Sequence, residues 1–378
     1  MRIALVVPGG VDRSGEYRVI PALLALIGRL SRHEEVHVFA LNQEAQADDW
    51  LLAGARIHNI GFRYTRLRAV HAISRMHRAS PFDLIQAIWS GNCGLIAAAA
   101  GRLHGIPTLV HVAGGELVSI PDIAYGGLQT WRGRLRERLV LRAASTVTAA
   151  SAPVIAMLSQ IGVTAHRVPL GVDLECWPPR APVRRDPSRS ARLIHVASLN
   201  RVKDQSTLFR ALAALMTSGV RFEMDVVGDD TLHGEIQALA NELGLSQRIR
   251  FQGFLTQRQL RPLLEAADLM VHSSRYEAGP LVILEAAVAG VPTVGTMVGH
   301  IVEWAPEAAM AVPVGDWARL AGAIRQLLED EDMRFRIACE AQARALREDA
   351  DYTAGRFRAL YAELVHGSPV SGVKVCKK

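Results

Sequence analysis

Cysteine is sparse in this 378-residue chain, and its four copies, Cys93, Cys176, Cys339 and Cys376, form no C-x-x-C pair. That scatter offers neither a disulfide framework nor a zinc site, and it fits a reducing cytoplasm. No stretch of about 18 apolar residues free of charge is present to span a bilayer. Residues 1–8 hold too short an apolar run for a secretory signal and read as a buried first strand. A carboxylate metal site finds little support either. The D-x-D string Asp330-Glu331-Asp332 sits in an acidic run at a helix end, between Leu328 and Met333, and reads as solvated surface. Lysine is missing from residues 1–171, where 18 arginines stand against 11 acids for a net +7; residues 172–378 carry 25 basic and 26 acidic residues, a net −1. The basic character belongs to the first half.

The length is too great for a typical single core and implies two domains of roughly 170 residues each. A hydrophobic share of 49% with 21% charged residues excludes a disordered chain. In the first half, β-rich runs at 2–7, 35–40, 84–88, 108–112 and 146–149 alternate with helical patterns at 16–30 and 93–104. Such alternation predicts an α/β fold with a parallel, doubly wound sheet. Residues 176–192, with four prolines, five arginines and almost no apolar periodicity, read as a linker. The same grammar then repeats, with strands at 192–197, 221–227, 248–251, 269–272 and 293–295 and helical patterns at 207–217, 235–243, 260–266 and 280–289.

The most informative stretch is Glu277-Ala278-Gly279-Pro280-Leu281-Val282-Ile283-Leu284-Glu285, two carboxylates separated by seven residues with a glycine-proline step between them. Pro280 suits the first position of a helix, where its missing N–H is no loss and its φ is preset. A helix starting there leaves Glu277 in the preceding loop and Glu285 on the second turn. Both carboxylates then reach a ligand at the helix N-terminus. Unpaired N–H groups and a partial positive charge at that end suit a diphosphate, while the carboxylates accept hydrogen bonds from sugar hydroxyls.

This segment resembles the E-x7-E motif of the retaining GT-B glycosyltransferases called family 4. The resemblance extends over nearly the whole chain, because further landmarks follow in the family's order. They are Val6-Val7-Pro8-Gly9-Gly10, Gly171-Val172-Asp173, Ala197-Ser198-Leu199-Asn200-Arg201-Val202-Lys203-Asp204, Val226-Val227-Gly228, Phe251-Gln252-Gly253-Phe254 and Val298-Gly299-His300-Ile301-Val302-Glu303. It implies two Rossmann-like domains facing a central cleft. Residues 1–171 would form the acceptor-side domain, 172–192 the linker, 193–350 the donor domain, 351–366 a helix crossing back to the first domain, and 367–378 a tail.

Gly9, Gly10 and Gly15 follow the first strand. A Walker loop would need Lys and Ser/Thr after Gly15, where Glu16 and Tyr17 stand, and a dinucleotide fingerprint needs a different glycine spacing and an acid ending the second strand, where Ala40-Leu41-Asn42 occur. These glycines either make a tight turn or, as the resemblance implies, bring the loop to the cleft. Family members show Gly-Arg-Leu followed four residues later by Lys. Here Ser198 replaces that arginine, so Lys203 is expected to carry the diphosphate's countercharge, with Arg201 either supplementing it or solvated on a turn. After the fourth strand, Ala113 stands where the family often has histidine. His111, two residues earlier, either faces the sugar or is a buried strand histidine, and Glu116 is an alternative cleft residue.

The resemblance thus implies Glu277, Lys203 and His111 as catalytic residues. Donor contacts would come from Gly10, Ser198, Arg201, Lys203, Gly253, Phe254, Gly279, Pro280, Leu281, Val282 and Glu285, with the 251–255 segment near the base. The acceptor side would include Gly9, Glu116, Arg68 and Arg75. Arg68, His71, Arg75 and Arg78 share a helical arc of roughly 80°, and Arg132, Arg134, Arg136, Arg138 and Arg142 form a second cluster. Solvated faces are one reading of both; a surface for anionic lipid or an acceptor pyrophosphate is another. Nucleic acid is disfavoured, since no binding motif or aromatic interleaving accompanies the charge. The expected activity is transfer of a sugar from a UDP-, GDP- or ADP-linked donor to an acceptor hydroxyl, with retention and without cofactor or metal. The acceptor would be a carbohydrate or lipid-linked glycan in cell-surface polysaccharide or glycolipid synthesis. A sugar-nucleotide epimerase or hydrolase, and a sugar-nucleotide-binding protein without turnover, are the alternatives.

Overall fold

The computed structural model describes residues 1–367; residues 368–378, with Cys376 and nearly all of the expected tail, lie outside the described residues. The first domain runs β1 (Arg2–Val7), α1 (Pro21–Ser31), β2 (Glu35–Ala40), β3 (Asp48–Leu52), β4 (Ala55–Asn59), α2 (Thr65–Ala79), β5 (Leu84–Ile88), α3 (Leu95–His104), β6 (Thr108–Val112), α4 (Trp131–Ala143), β7 (Thr146–Ala149), α5 (Ala152–Gln160) and β8 (His166–Arg167). Its eight strands lie in the order β3-β4-β2-β1-β5-β6-β7-β8. All pairs are parallel except β3 with β4. The central strands are buried along almost their whole length, as strands covered on both faces must be, with Gln86 and His111 set among mostly apolar side chains. Ile73 of α2, Ile96 of α3 and Val140 of α4 share one buried cluster with Val6, Ile85 and Val110, so these three helices cover one face of the sheet.

The second domain runs β9 (Ala191–Val196), α6 (Gln205–Thr217), β10 (Phe222–Val227), α7 (Glu235–Glu242), β11 (Ile249–Gly253), α8 (Gln257–Glu265), β12 (Leu269–His272), α9 (Leu281–Val288), β13 (Thr293–Thr296), α10 (Gly299–Trp304), β14 (Met310–Val312), α11 (Trp317–Glu329) and α12 (Glu331–Arg347). Its sheet is fully parallel, in the order β11-β10-β9-β12-β13-β14. In both sheets the strand order reverses beside the first strand, between β1 and β5 and between β9 and β12. Ligands of such sheets bind outside the carboxyl ends of the strands at that reversal. Segments 8–20, 197–204 and 273–280 follow those strands at the carboxyl ends, where a ligand is expected.

The last helix, α13 (Ala350–His366), returns to the first domain, burying Phe357, Leu360 and Tyr361 among Leu5, Val7, Leu26 and Ile27. The crossing is tight. A Cβ on Gly171 would sit 2.2 Å from the Asp349 backbone carbon, so only glycine lets the two chain segments pass. Thr353 Oγ1 accepts from Gly171 N at 2.9 Å and donates to Pro169 O at 2.7 Å. Buried Arg29 of α1 ties the same corner together, 3.0 Å from Asp173 and 2.8 Å from Asp351. Asp349 caps α13 at this corner, accepting from Tyr352 N at 2.8 Å.

Two helix starts that frame the cleft differ from the sequence reading. The first helix begins at Pro21, not at residue 16, because Val11 pairs with Val19 and closes residues 11–19 into a loop. Pro280 is the residue before α9 and not its first turn; its ψ of 115° is extended. The segment between the sheets is irregular but clasped: Trp177 is buried, and Arg334 donates to Val183 O at 2.6 Å. No helix among the described residues is long and apolar enough to cross a membrane.

Candidate active site

Lys203 stands in the turn between β9 and α6. Asn200 Oδ1 accepts from its N–H at 3.2 Å, and Asp204 begins α6 with a left-handed φ of 48° and a carboxylate bonded to Thr207 Oγ1 at 2.7 Å. Ser273, just after β12, donates to the Lys203 carbonyl at 2.8 Å. Two loops from adjacent strands are thus locked together. Their side chains converge on Glu277, whose Oε1 takes the Lys203 ammonium and the Ser274 hydroxyl, the latter at 2.7 Å. His272, the last residue of β12, places Nε2 3.2 Å from the same oxygen. Both of its ring nitrogens are buried without a well-aligned hydrogen bond. Burial opposes ionisation of Glu277, but Lys203 and His272 outweigh it and hold the carboxyl well below its usual range.

Next to this cluster, α9 starts without a side-chain cap; the Ile283 amide turns back to Pro280 O at 3.2 Å, and the Leu281 and Val282 amides are left for an anion. Close contacts fix that end. A Cβ on Gly299, at φ 49°, would lie 2.6 Å from Pro280, and one on Gly279 would lie 3.0 Å from Ala150 of the first domain. Leu281 and Val282 form the first turn, and Glu285 follows on the second. Glu285 is buried, with Gln257 of α8 donating to its Oε1 at 3.0 Å. Here no cation offsets burial, and the carboxyl is pushed up to about 7. Two glutamates with seven residues between them therefore sit in opposite electrostatic environments.

The first domain closes over the cluster. Tyr276 donates to Gly114 O at 3.2 Å, Arg275 reaches Asp122 at 3.1 Å, and Ser151 bonds to the Ala278 carbonyl. Further along the cleft, Glu16 pairs with Arg258 at 2.9 Å, and the rings of Tyr17 and Phe254 lie 6.2 Å apart. Gly253, at φ 68°, accepts from Gly228 N at 2.8 Å, and this holds the Phe254 turn beside β10.

Several expected residues stand elsewhere or do other work. His111 is fully buried on the face beneath α13, its Nδ1 2.9 Å from Thr148 Oγ1 and its ring edge-on to Phe357 at 5.4 Å. Burial lowers its pKa to about 3, so it is neutral, and it takes no part in the Glu277 cluster. Glu116 is also buried, accepting from Ser90 N at 3.1 Å and Gly114 N at 2.7 Å, and burial raises its carboxyl. It braces the loop that meets Tyr276. Arg201 turns outward, its Nη2 donating to both oxygens of Glu235 at 3.0 Å, and leaves Lys203 as the cation at the cluster. Ser198 accepts at its carbonyl from Gln205 at 3.1 Å. The Gly10 and Val11 amides are taken by Gln43 Oε1 at 2.7 and 3.0 Å, and Gly10, at φ 80°, packs on Ile20, so Gly9 and Gly10 shape the loop through Gln43. Arg68 and Arg75 lie on the exposed face of α2, away from the cluster. The sequence reading missed His272; its position at the carboxyl end of the strand beside the order reversal was the available signal.

Comparison with known proteins divides the chain at the same place as the two sheets. Residues 19–171 match the model of the glycosyl transferase 4-like domain, and residues 182–344 match that of the glycosyl transferases group 1. The chain is 29% identical over 230 residues to the putative glycosyltransferase EpsF of Bacillus subtilis, covering 57% of each protein. It is 36% identical over 135 residues to the lipopolysaccharide core biosynthesis glycosyltransferase LpsE of Rhizobium meliloti, covering 35% of this chain and 38% of LpsE. The matches thus span about half or less of the length of these relatives. Among solved structures, Anabaena HepE in complex with UDP-glucose superposes with a TM-score of 0.75 at 22% identity, covering 96% of this chain and all of HepE. With one glycosyltransferase domain model on each sheet and a GT-B protein superposing on both at once, the chain belongs to the GT-B glycosyltransferases.

Proposed function

We propose that the protein transfers a sugar from a nucleoside diphosphate sugar to a hydroxyl of a carbohydrate or lipid-linked acceptor in polysaccharide or lipopolysaccharide synthesis, with retention at the anomeric carbon and without a bound metal. One observation carries the reading: Lys203 and Glu277 meet beside the uncapped start of α9, with Glu285 one turn further on. A diphosphate at that helix end meets backbone N–H groups and an ammonium, which supply the countercharge a metal would otherwise provide. Glu285 suits the ribose hydroxyls, and Glu277 suits the transferred sugar, where its charge also stabilises positive character at the anomeric carbon. In the retaining course, the acceptor hydroxyl attacks the face that the leaving phosphate vacates, and a phosphate oxygen takes its proton. LpsE and the UDP-glucose bound to HepE support the acceptor class and a uridine-linked donor.

Thermal stabilisation across UDP, GDP and ADP identifies the base, since ligand at 100 times its dissociation constant adds about 2.7 kcal/mol. Product formation with and without acceptor, and with EDTA, then tests the reaction. Turnover independent of acceptor would indicate an epimerase or hydrolase. Activity lost to EDTA and restored by Mg²⁺ or Mn²⁺ would overturn the charge assignment to Lys203 and the α9 amides.

A further inference from the structure

The outer faces of α2, α3 and α4 lie side by side and form one surface unlike the rest of the molecule. Its exposed cations are Arg66, Arg68, Arg75 and Arg78 on α2, Arg102 on α3, and Arg132, Arg134, Arg138 and Arg142 on α4. Among the described residues, none of them has a carboxylate within 4.0 Å. Elsewhere ion pairing is the rule, and Arg13, Arg29, Arg167 and Arg250 each hold two carboxylates. The three helices contain a single acid, Glu137, which is buried and spent on Ser90 and Arg136.

Large apolar side chains stand among these arginines. On α4, Trp131, Leu135 and Leu139 are 62%, 48% and 53% exposed. Their four-residue spacing places them within an arc of about 80°, and Arg134, Arg138 and Arg142 lie on and beside that stripe. Leu67 on α2 and Leu103 on α3 extend the apolar character to the neighbouring helices, both more than half exposed. Solvation accounts for bare arginines, but not for a three-member apolar stripe among them. An acidic protein or a nucleic acid would satisfy the guanidinium groups and leave the stripe in water. A lipid bilayer with anionic headgroups satisfies both, since weakly hydrated guanidinium groups pair with phosphate and the stripe enters the acyl boundary.

We propose that the α2–α3–α4 face docks on an anionic lipid bilayer, with α4 as the inserting element. This is independent of the transfer chemistry, because none of these residues lies in the Glu277 cluster. Position links the two all the same. Helix α4 follows the loop in which Gly114 and Asp122 meet Tyr276 and Arg275, so a bilayer under α4 lies next to the cleft.

The test is co-sedimentation with vesicles of phosphatidylcholine alone and of phosphatidylcholine mixed with phosphatidylglycerol, at low and physiological salt. Wild-type protein should bind only the anionic vesicles. Trp131→Ser with Leu135→Ser and Leu139→Ser should lower partitioning at least tenfold at both salt levels, and Arg134→Gln with Arg138→Gln and Arg142→Gln should lower it by a similar factor and flatten its salt dependence. All six side chains are largely exposed, so melting temperatures should match the wild type; a misfolded triple variant would be replaced by Leu139→Ser and Arg138→Gln singly. Failure of the wild-type protein to bind anionic vesicles overturns the proposal. So does binding that the apolar variant leaves unchanged, or tighter binding to single-stranded or duplex nucleic acid than to vesicles.

Discussion

Lys203 and Glu277 form an ion pair that joins the loop after β9 to the loop after β12, and each is the other's main charged partner. In the proposed reaction, a donor diphosphate entering beside α9 competes with Glu277 for the ammonium. The lysine has two anions to serve and the glutamate has His272 in reserve, so the two residues should fail differently when removed.

Lys203→Ala should weaken binding of the bare nucleoside diphosphate by about 10- to 100-fold, the worth of one charged hydrogen bond of roughly 1.5–3 kcal/mol. Turnover should fall further, because the leaving group gains charge. Calorimetry with UDP beside steady-state kinetics reads both. Unchanged affinity in a folded variant would show that the α9 amides alone hold the phosphates.

Glu277→Gln should lower kcat while leaving UDP affinity equal or slightly improved, since the substitution removes a negative charge next to the phosphates and frees Lys203. A loss confined to the transition state lowers kcat and kcat/KM together. Loss of nucleotide binding would instead make Glu277 the ribose ligand.

The two sheets were legible because strands buried on both faces are written as short, mostly apolar runs such as Leu84–Ile88, which only Gln86 interrupts. Strand β3 was not, because Asp48–Leu52 is an edge strand with exposed acids and no alternation. At the site, the Glu277–Glu285 spacing and Lys203 could be read from residue order alone. What the order does not contain is direction. His111 and His272 both lie on strands, yet one points beneath α13 and the other toward Glu277, and only the packing of α13 on the first sheet separates them. Arg201 is a further case, because it stands in a turn and its partner Glu235 lies 34 residues away at the start of α7.

The interdomain corner should be the most fragile polar contact of the fold. Arg29 is 5% exposed and holds Asp173 and Asp351 at once. Breaking a buried pair from one side costs about 3–5 kcal/mol, because the partner charge is left without compensation. Asp351 is 64% exposed and Asp173 21%, so water compensates much of the charge left behind, and Arg29→Ala should cost less than that, about 1.5–3 kcal/mol. Urea unfolding followed by circular dichroism should show the loss, with α13 released from the first domain. A midpoint within error of the wild type would mean that the apolar packing of Phe357 and Tyr361 holds the crossing by itself.

Glu285 gives the protein a pH dependence of definite sign. Its folded carboxyl titrates at about 7 because of burial, against 4.5 for an ordinary glutamate. Below the lower value both folded and unfolded states are protonated and burial carries no penalty. As pH rises toward about 7, the unfolded chain releases the proton first, so the folded state loses relative stability across that interval and no further above it. The loss is on the order of a few kcal/mol. Glu285→Gln should therefore flatten the stability profile between about pH 5 and 7. Nucleotide binding acts in the opposite direction: a ribose hydroxyl donating to Glu285 favours the carboxylate, so UDP should bind more tightly as pH rises to about 7 and should release a proton near neutrality. Calorimetry of UDP binding in buffers of different ionisation enthalpy counts that proton. Proton release of the same size in Glu285→Gln would assign the titration to another group, and its absence from the wild-type protein would remove Glu285 from the ribose.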